Sequence, residues 1–311
     1  MVDTWVVGNF VSNEAFSAVG SVGPIINMLI GLFLGLSSGA SVVIAQYYGA
    51  DRRDKVQDAV HTSMLMTLLM GVVFTAAGIL LAPTMLRLMK TPANVFPASQ
   101  EYLVIYFAGV LGLMVYNIGS GILRAVGDSK RPLYFLIVAS IVNIVLDIVL
   151  VAVIPLGVAG AAIATVIGYV FTDLYYVWFL IRRSRHLSVN IRLLRVSRRE
   201  VGQVFAIGIP ASITNIAQSF CVLITNRFLV PYGTDKVAAM GIALKVSMIA
   251  VLILIGFAFG VQPLIGYNYG AQNYRRLRQV LRFSYQFTIG LGLVLTVIVF
   301  AAAPLLIRLF M

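Results

Sequence analysis

The sequence is poor in almost everything that builds a soluble domain. Only 11% of its 311 residues are charged, against about 25% in ordinary soluble domains. Only 11 are acidic, 2 are histidines and one is a cysteine. A lone Cys221 cannot form an internal disulfide; within an apolar run it reads as a small core residue. His61 and His186 stand near the ends of apolar runs with no Cys or His at metal-ligand spacing, so they read as interfacial residues and no zinc motif is expected. No Ser/His/Asp or His-rich arrangement is present, which leaves a membrane-embedded enzyme without a nucleophile or metal cluster; no enzymatic activity and no cofactor are expected. The net charge of +12 would point to nucleic acid in a soluble chain. Here the charge sits in short connectors, so no nucleic-acid partner is expected.

What the sequence has in excess is apolar length. Hydrophobic residues make up 60% of the chain and the mean hydropathy is +0.96. Apolar runs recur at roughly 19–46, 60–82, 102–123, 133–154, 158–181, 203–230, 239–268 and 280–307, and a shorter piece precedes Asn9. A helix needs about 20 apolar residues to cross a bilayer core. The reading is an all-α polytopic membrane protein with about eight full spans plus the end of another. Of the 23 Lys and Arg residues, 17 fall in alternate connectors: 52–55, 124–131, 182–199 and 275–282. By the positive-inside rule those connectors are cytoplasmic, and the membrane is the cell inner (cytoplasmic) membrane.

The chain also repeats itself, the signature to look for before any other. Shifted by 221 residues without a gap, "YYGA" at 47–50 meets "NYGA" at 268–271, and "LAPTMLRLM" at 81–89 meets "AAPLLIRLF" at 302–310. Gly35, Gly39 and Gly71 meet Gly256, Gly260 and Gly292, and about a fifth of the aligned positions are identical. In this register Asp3 aligns with Ile224, deep in a later span, so the first helix is expected to begin upstream of Met1. The second repeat stops after three helices where the first has six. The chain is therefore expected to be truncated at both ends, with 1–186 a first lobe, 187–202 a basic cytoplasmic linker and 203–311 part of a second lobe.

Depth along the spans brings certain polar residues together. An Asp at a helix centre costs about 2.5–3.5 kcal/mol on insertion scales and is a functional hypothesis by default. Asp147 lies eight residues before Pro155, about 12 Å below the outer end of its helix. Asp3 precedes Asn9 by six residues, about 9 Å down, and Thr165 lies about 10 Å into the next, inward-running helix. Asn143 is one turn deeper than Asp147 on the same face. Two carboxylates at low dielectric repel, so the pair invites a proton, a hard cation with oxygen ligands such as Na⁺, or both in competition. The bland alternative is a polar knot that only packs the lobe. Asp173, nearer the cytoplasmic end of its helix, is expected to reach water or the arginines by snorkelling.

Five stretches, "VDTWVVG" at 2–8, "SGASVVIAQYYGA" at 38–50, "GILRAVGDSKRP" at 121–132, "LGVAGAAIATVIG" at 156–168 and "GVQPLIGYNYGAQNYRR" at 260–276, together resemble the multidrug and toxic compound extrusion (MATE) family, in its DinF-like branch. The resemblance implies a bundle of two six-helix lobes, and export of small, often cationic, amphipathic compounds in exchange for H⁺ or Na⁺. It implies a small-molecule substrate, a lipid bilayer as surroundings and action as a monomer. By motif position it puts the first-lobe cation site at Asp3, Asn143, Asp147 and Thr165. The second-lobe acid of some branches has no counterpart in "ASITNIAQSFCVLITN" at 211–226. Asn215 and Gln218 there either line a substrate cavity or bond between helices, and Lys245 is either a counter-charge in that cavity or a snorkelling residue. A flippase for lipid-linked saccharides, of a related fold, is the alternative function, with Lys245 as its hint of a cationic cavity.

Overall fold

A computed structural model of the chain describes residues 2–183 and 197–310. Among them it is a succession of helices: α1 (Val2–Phe10), α2 (Asn13–Gly49), α3 (Arg53–Leu88), α4 (Phe96–Ala108), α5 (Val110–Ala125), α6 (Lys130–Asp147), α7 (Gly157–Arg183), α8 (Arg198–Leu229), α9 (Thr234–Gly270) and α10 (Tyr274–Phe310). Seven elements are long and apolar enough to cross a membrane, and α4 with α5, bent by 47°, makes an eighth. The bend falls at Gly109, which lies against Val166 of α7 with no room for a side chain. The apolar run at 102–123, continuous in sequence, is therefore two helices.

The repeat is visible in the backbone. After α2 the chain turns through Asp51 at φ 52°, and after α9 through Gln272 at φ 55°, 221 residues on. The closing hydrogen bonds correspond as well: Ala50 N–H to Gln46 O and Arg52 N–H to Tyr47 O in the first turn, Ala271 N–H to Tyr267 O and Asn273 N–H to Asn268 O in the second. Left-handed φ at a non-glycine residue is uncommon, so its recurrence at one offset shows that both copies end this helix in the same way.

The same two corners touch each other. Gly49 lies on the Tyr267 backbone and Gly270 lies on the Gln46 backbone, and these contacts exchange under the 221-residue shift. This is the signature of a pseudo-two-fold axis. A Cβ at either glycine would overlap the facing carbonyl, so hydrogen alone permits the crossing. From there α2 runs against α8: Gly39 meets Val204 and Gly208, Gly35 meets Ser212, and Gly31 meets Asn215. Ser212 Oγ donates to Leu32 O at 2.8 Å, and Gln262 Nε2 donates to Ser38 Oγ. Among the described residues, no neighbouring element comes within 4 Å of the Cβ positions of Gly20 and Gly23 on α2, or of Gly241 on α9. The repeats thus join along their cytoplasmic halves.

Several sequence expectations shift. The span expected from 203 begins at Arg198, because the added turn has a docking surface. Glu200 is fully buried there, its Oε1 3.4 Å from the Tyr47 hydroxyl and 3.9 Å from Lys55 Nζ. The linker expected at 187–202 lies outside the described residues up to 196. Cys221 is not a core residue; it is exposed on α8, on an apolar surface with Phe220 and Ile224. His61 is buried, at 5% exposure, rather than interfacial.

Candidate cation site

The outer half of the first repeat is held by an apolar cluster that includes Val6 and Val7 of α1, Val22 of α2, Leu103 and Phe107 of α4, and Ala161 and Ala162 of α7. α1 packs against α2, α6 and α7, which brings Asp3 on its first turn to the α6–α7 pair. α6 and α7 approach closely: Gly168 faces Asn143, and Gly160 lies against the Leu150 carbonyl.

Immediately after Asp147 the helix widens into a π-helical turn, Ile148–Val153, closed by Ile154 N–H to Val149 O at 2.9 Å. Such turns are rare and gather at functional sites. Asn143 and Asp147 both precede it on regular α-helix and so share one face.

Asp3, Asn143, Asp147 and Thr165 are brought together. Asn143 Nδ2 donates to Thr165 Oγ1 at 3.4 Å. Thr165 Oγ1 lies 2.8 Å from Asp3 Oδ2 and 3.1 Å from Ala161 O. Its single proton serves one of these at a time. Asp147 is completely buried, and among the described residues no donor reaches either of its carboxylate oxygens. The group it faces is the Asp3 carboxyl.

Buried polar groups are nearly always hydrogen-bonded, and a buried charge is paired, metal-bound or neutralised. A fully buried carboxyl that faces a second carboxyl departs from that rule. Its electrostatic cost falls when a proton or a small cation enters between the two. The donor set is all oxygen apart from the Asn143 amide nitrogen, which suits a hard cation.

The phenols of Tyr102 and Tyr106 on α4 and Tyr169 on α7 border this layer; Tyr102 interacts with both acids and the other two with Asp3. Tyr102 and Tyr106 are stacked, with ring centroids 6.4 Å apart. Sequence reasoning missed all three. Tyr169 had a legible signal, since it stands one turn below Thr165 on one face. The α4 tyrosines had none, because helix packing alone brings them in.

The remaining candidates lie elsewhere. Asn215 is half-buried between helices, 3.4 Å from Gly31 O and 3.1 Å from Ala211 O through Nδ2. Gln218, one turn on, is exposed. Lys245 falls within α9, but its side chain lies outside the described residues. Asp173 does not snorkel: its Oδ1 is buried without a partner, and the carboxyl packs where α7 crosses α5 at Gly112. The absence of a side chain at Gly112 makes the space that draws it inward.

Known proteins agree with this architecture. The MatE family model matches residues 1–149 and 210–311. A Bacillus subtilis (strain 168) protein described as "Probable multidrug resistance protein YoeA" is 31% identical over 318 residues, covering 100% of this chain and 69% of that protein. The multidrug export protein MepA of Staphylococcus aureus (strain NCTC 8325 / PS 47) is 26% identical over 282 residues, covering 91% of this chain and 62% of its own length. A crystal structure of MATE in the bent conformation superposes with a TM-score of 0.95 at 26% identity, over 99% of this chain and 69% of that one. The chain thus spans 62% to 69% of the length of these relatives. Its repeat, its spans and the match over most of its length converge: this chain belongs to the MatE family of multi-pass membrane transporters.

Proposed function

We propose that the chain carries the coupling half of an exporter that moves small amphipathic, often cationic, drugs or metabolites out across the cytoplasmic membrane in exchange for H⁺ or Na⁺. The observation that carries this reading is the state of Asp147: fully buried, facing Asp3, with neither oxygen engaged by a donor. A knot that served packing alone would place a donor on at least one of those oxygens. The names of the relatives, a multidrug export protein among them, support the substrate class.

In this reading Asp3 and Asp147 hold the cation, Thr165 and Asn143 orient the Asp3 side, and the apolar wall excludes water. Cation binding and substrate binding oppose each other by linkage, and that antagonism drives exchange between two arrangements of the lobes. The test uses the full-length protein in vesicles loaded with a cationic dye under an imposed H⁺ or Na⁺ gradient. Wild type is expected to export dye, with the sodium dependence identifying the ion, and Asp147→Asn is expected to lose gradient-driven export. Wild-type export by Asp147→Asn would refute the coupling role.

A further inference from the structure

A cavity of about 420 Å³ lies at the cytoplasmic end of the seam, far along the chain's helices from the acid layer. Both repeats wall it: Tyr48, Arg124, Gly127 and Ser129 from the first, Phe259 and Tyr267 from α9. Its size is that of a small-ligand site. Among the described residues that line it, Arg124 alone is charged.

Arg124 stands in the last turn of α5 and is half-buried. Its guanidinium carbon lies 5.9 Å from the centre of the Phe259 ring across the seam. Its other electrostatic neighbours are the phenols of Tyr116 and Tyr176. The ion pairs among the described residues do not include it. The nearest acid in sequence, Asp128, is taken by Arg131 at 2.5 Å. A guanidinium offers five donors in a planar fork suited to two oxygens of one anion, and among the described residues no carboxylate pairs with it.

The start of the next element adds one donor. Ser129 is the N-cap of α6, yet its side chain makes no capping bond. The hydroxyl is left for a ligand, while the first turn of α6 offers little more, since the Arg131 N–H already bonds Asp128 Oδ1 at 3.2 Å and Pro132 has no N–H. Cation and hydroxyl thus line one cavity whose other walls are aromatic and apolar. Tyr48 and Tyr267 meet across the seam at 5.9 Å.

We propose that this cavity binds a phosphate-bearing anion, held by Arg124 and Ser129, and that its occupancy keeps the cytoplasmic side of the seam closed. The closing effect follows from the walls. A ligand gripped by Arg124 of α5 and covered by Phe259 and Tyr267 of α9 favours the arrangement in which the two walls meet. The phosphate comes either from a lipid headgroup, whose tails would lie along the aromatic wall, or from a free phosphate compound.

The experiment uses purified full-length protein in neutral detergent at constant ionic strength. Its melting temperature is followed while dioctanoyl phosphatidic acid or inorganic phosphate replaces chloride. Wild type is expected to show a saturable rise. A rise with lipid alone assigns a headgroup, and a rise with both assigns the phosphate itself. Arg124→Gln is expected to lose the rise and Arg131→Gln to keep it. Should Arg124→Gln fail to fold, the exposed Ser129→Val is expected to shift half-saturation about tenfold upward, the size of one lost hydrogen bond to a charged group. No saturable rise with either probe, or an unchanged response in these variants, overturns the site. A rise in melting temperature with no slowing of dye efflux in vesicles overturns the closure.

Discussion

The outer acid layer and the cytoplasmic seam both bury charge, and they treat it in opposite ways. In the seam Glu200 is completely buried and its Oε2 has no hydrogen-bond partner among the described residues, but the Tyr47 hydroxyl and Lys55 approach its Oε1, and Tyr47 also donates to Gln203 at 2.9 Å. Acceptors there meet donors from the other repeat, and glycine corners interlock. In the acid layer Asp147 is just as buried, and what it meets is another acid. A compensated charge fixes two elements in register. An uncompensated one is relieved by a mobile proton or cation. The contrast separates the part of the molecule that holds the repeats together from the part proposed to load and unload a cation.

Substitutions at the two places should therefore break different things. The largest effect is expected from Asp3→Asn with Asp147→Asn: loss of gradient-driven dye efflux by tenfold or more, with melting temperature maintained or raised, read by efflux and thermal denaturation of the same preparations. Next comes Gly270→Val, which drives a side chain into the Gln46 backbone. Overpacking costs about 1–3 kcal/mol, so melting temperature should fall, and efflux with it, while Asp3 and Asp147 are untouched. Thr165→Val removes the donor to Asp3 and should weaken cation dependence by a few fold, at about 1 kcal/mol for one hydrogen bond, visible as a displaced midpoint in the ion titration of efflux. Asp173→Asn replaces a half-buried acid whose Oδ1 is buried without a partner and should raise stability by up to about 1–3 kcal/mol with efflux unchanged. The smallest effect is expected from Lys55→Met. That partner of Glu200 is about two-fifths exposed, and solvent screens such pairs, so melting temperature should barely move.

Much of this arrangement was legible in the sequence, for reasons that can be named. Apolar runs must be helices in a bilayer, because every backbone donor and acceptor has to be satisfied within the segment. The 221-residue offset, read from glycines and one proline, reappears as matching left-handed turns at Asp51 and Gln272. Counting residues from the outer ends put Asp3, Asp147 and Thr165 in one layer, since helical rise is constant, and the Asn143–Asp147 spacing gave the shared face.

What was not legible depends on packing between helices far apart in sequence. The break at Gly109 answers to Val166, which no local pattern announces. The π-helical turn after Asp147 sits in an unbroken apolar string, "IVLVAV". Tyr102 and Tyr106 reach the acids only because α4 packs on α7. Arg124 read as one more topology signal, and only the approach of α9 shows that it is half-buried against Phe259. The inward turn of Asp173 likewise follows from Gly112 on another helix.

The central claim is that the Asp3–Asp147 pair exchanges a cation against substrate, and counterflow measures this most directly. Full-length protein is reconstituted into vesicles with a dye gradient as the only driving force, and internal pH and Na⁺ are followed by fluorescent indicators. The account predicts that dye movement drives H⁺ or Na⁺ the opposite way in wild type, and that Asp147→Asn abolishes this cation movement while dye still binds. Cation movement per dye in Asp147→Asn equal to that of wild type would contradict it.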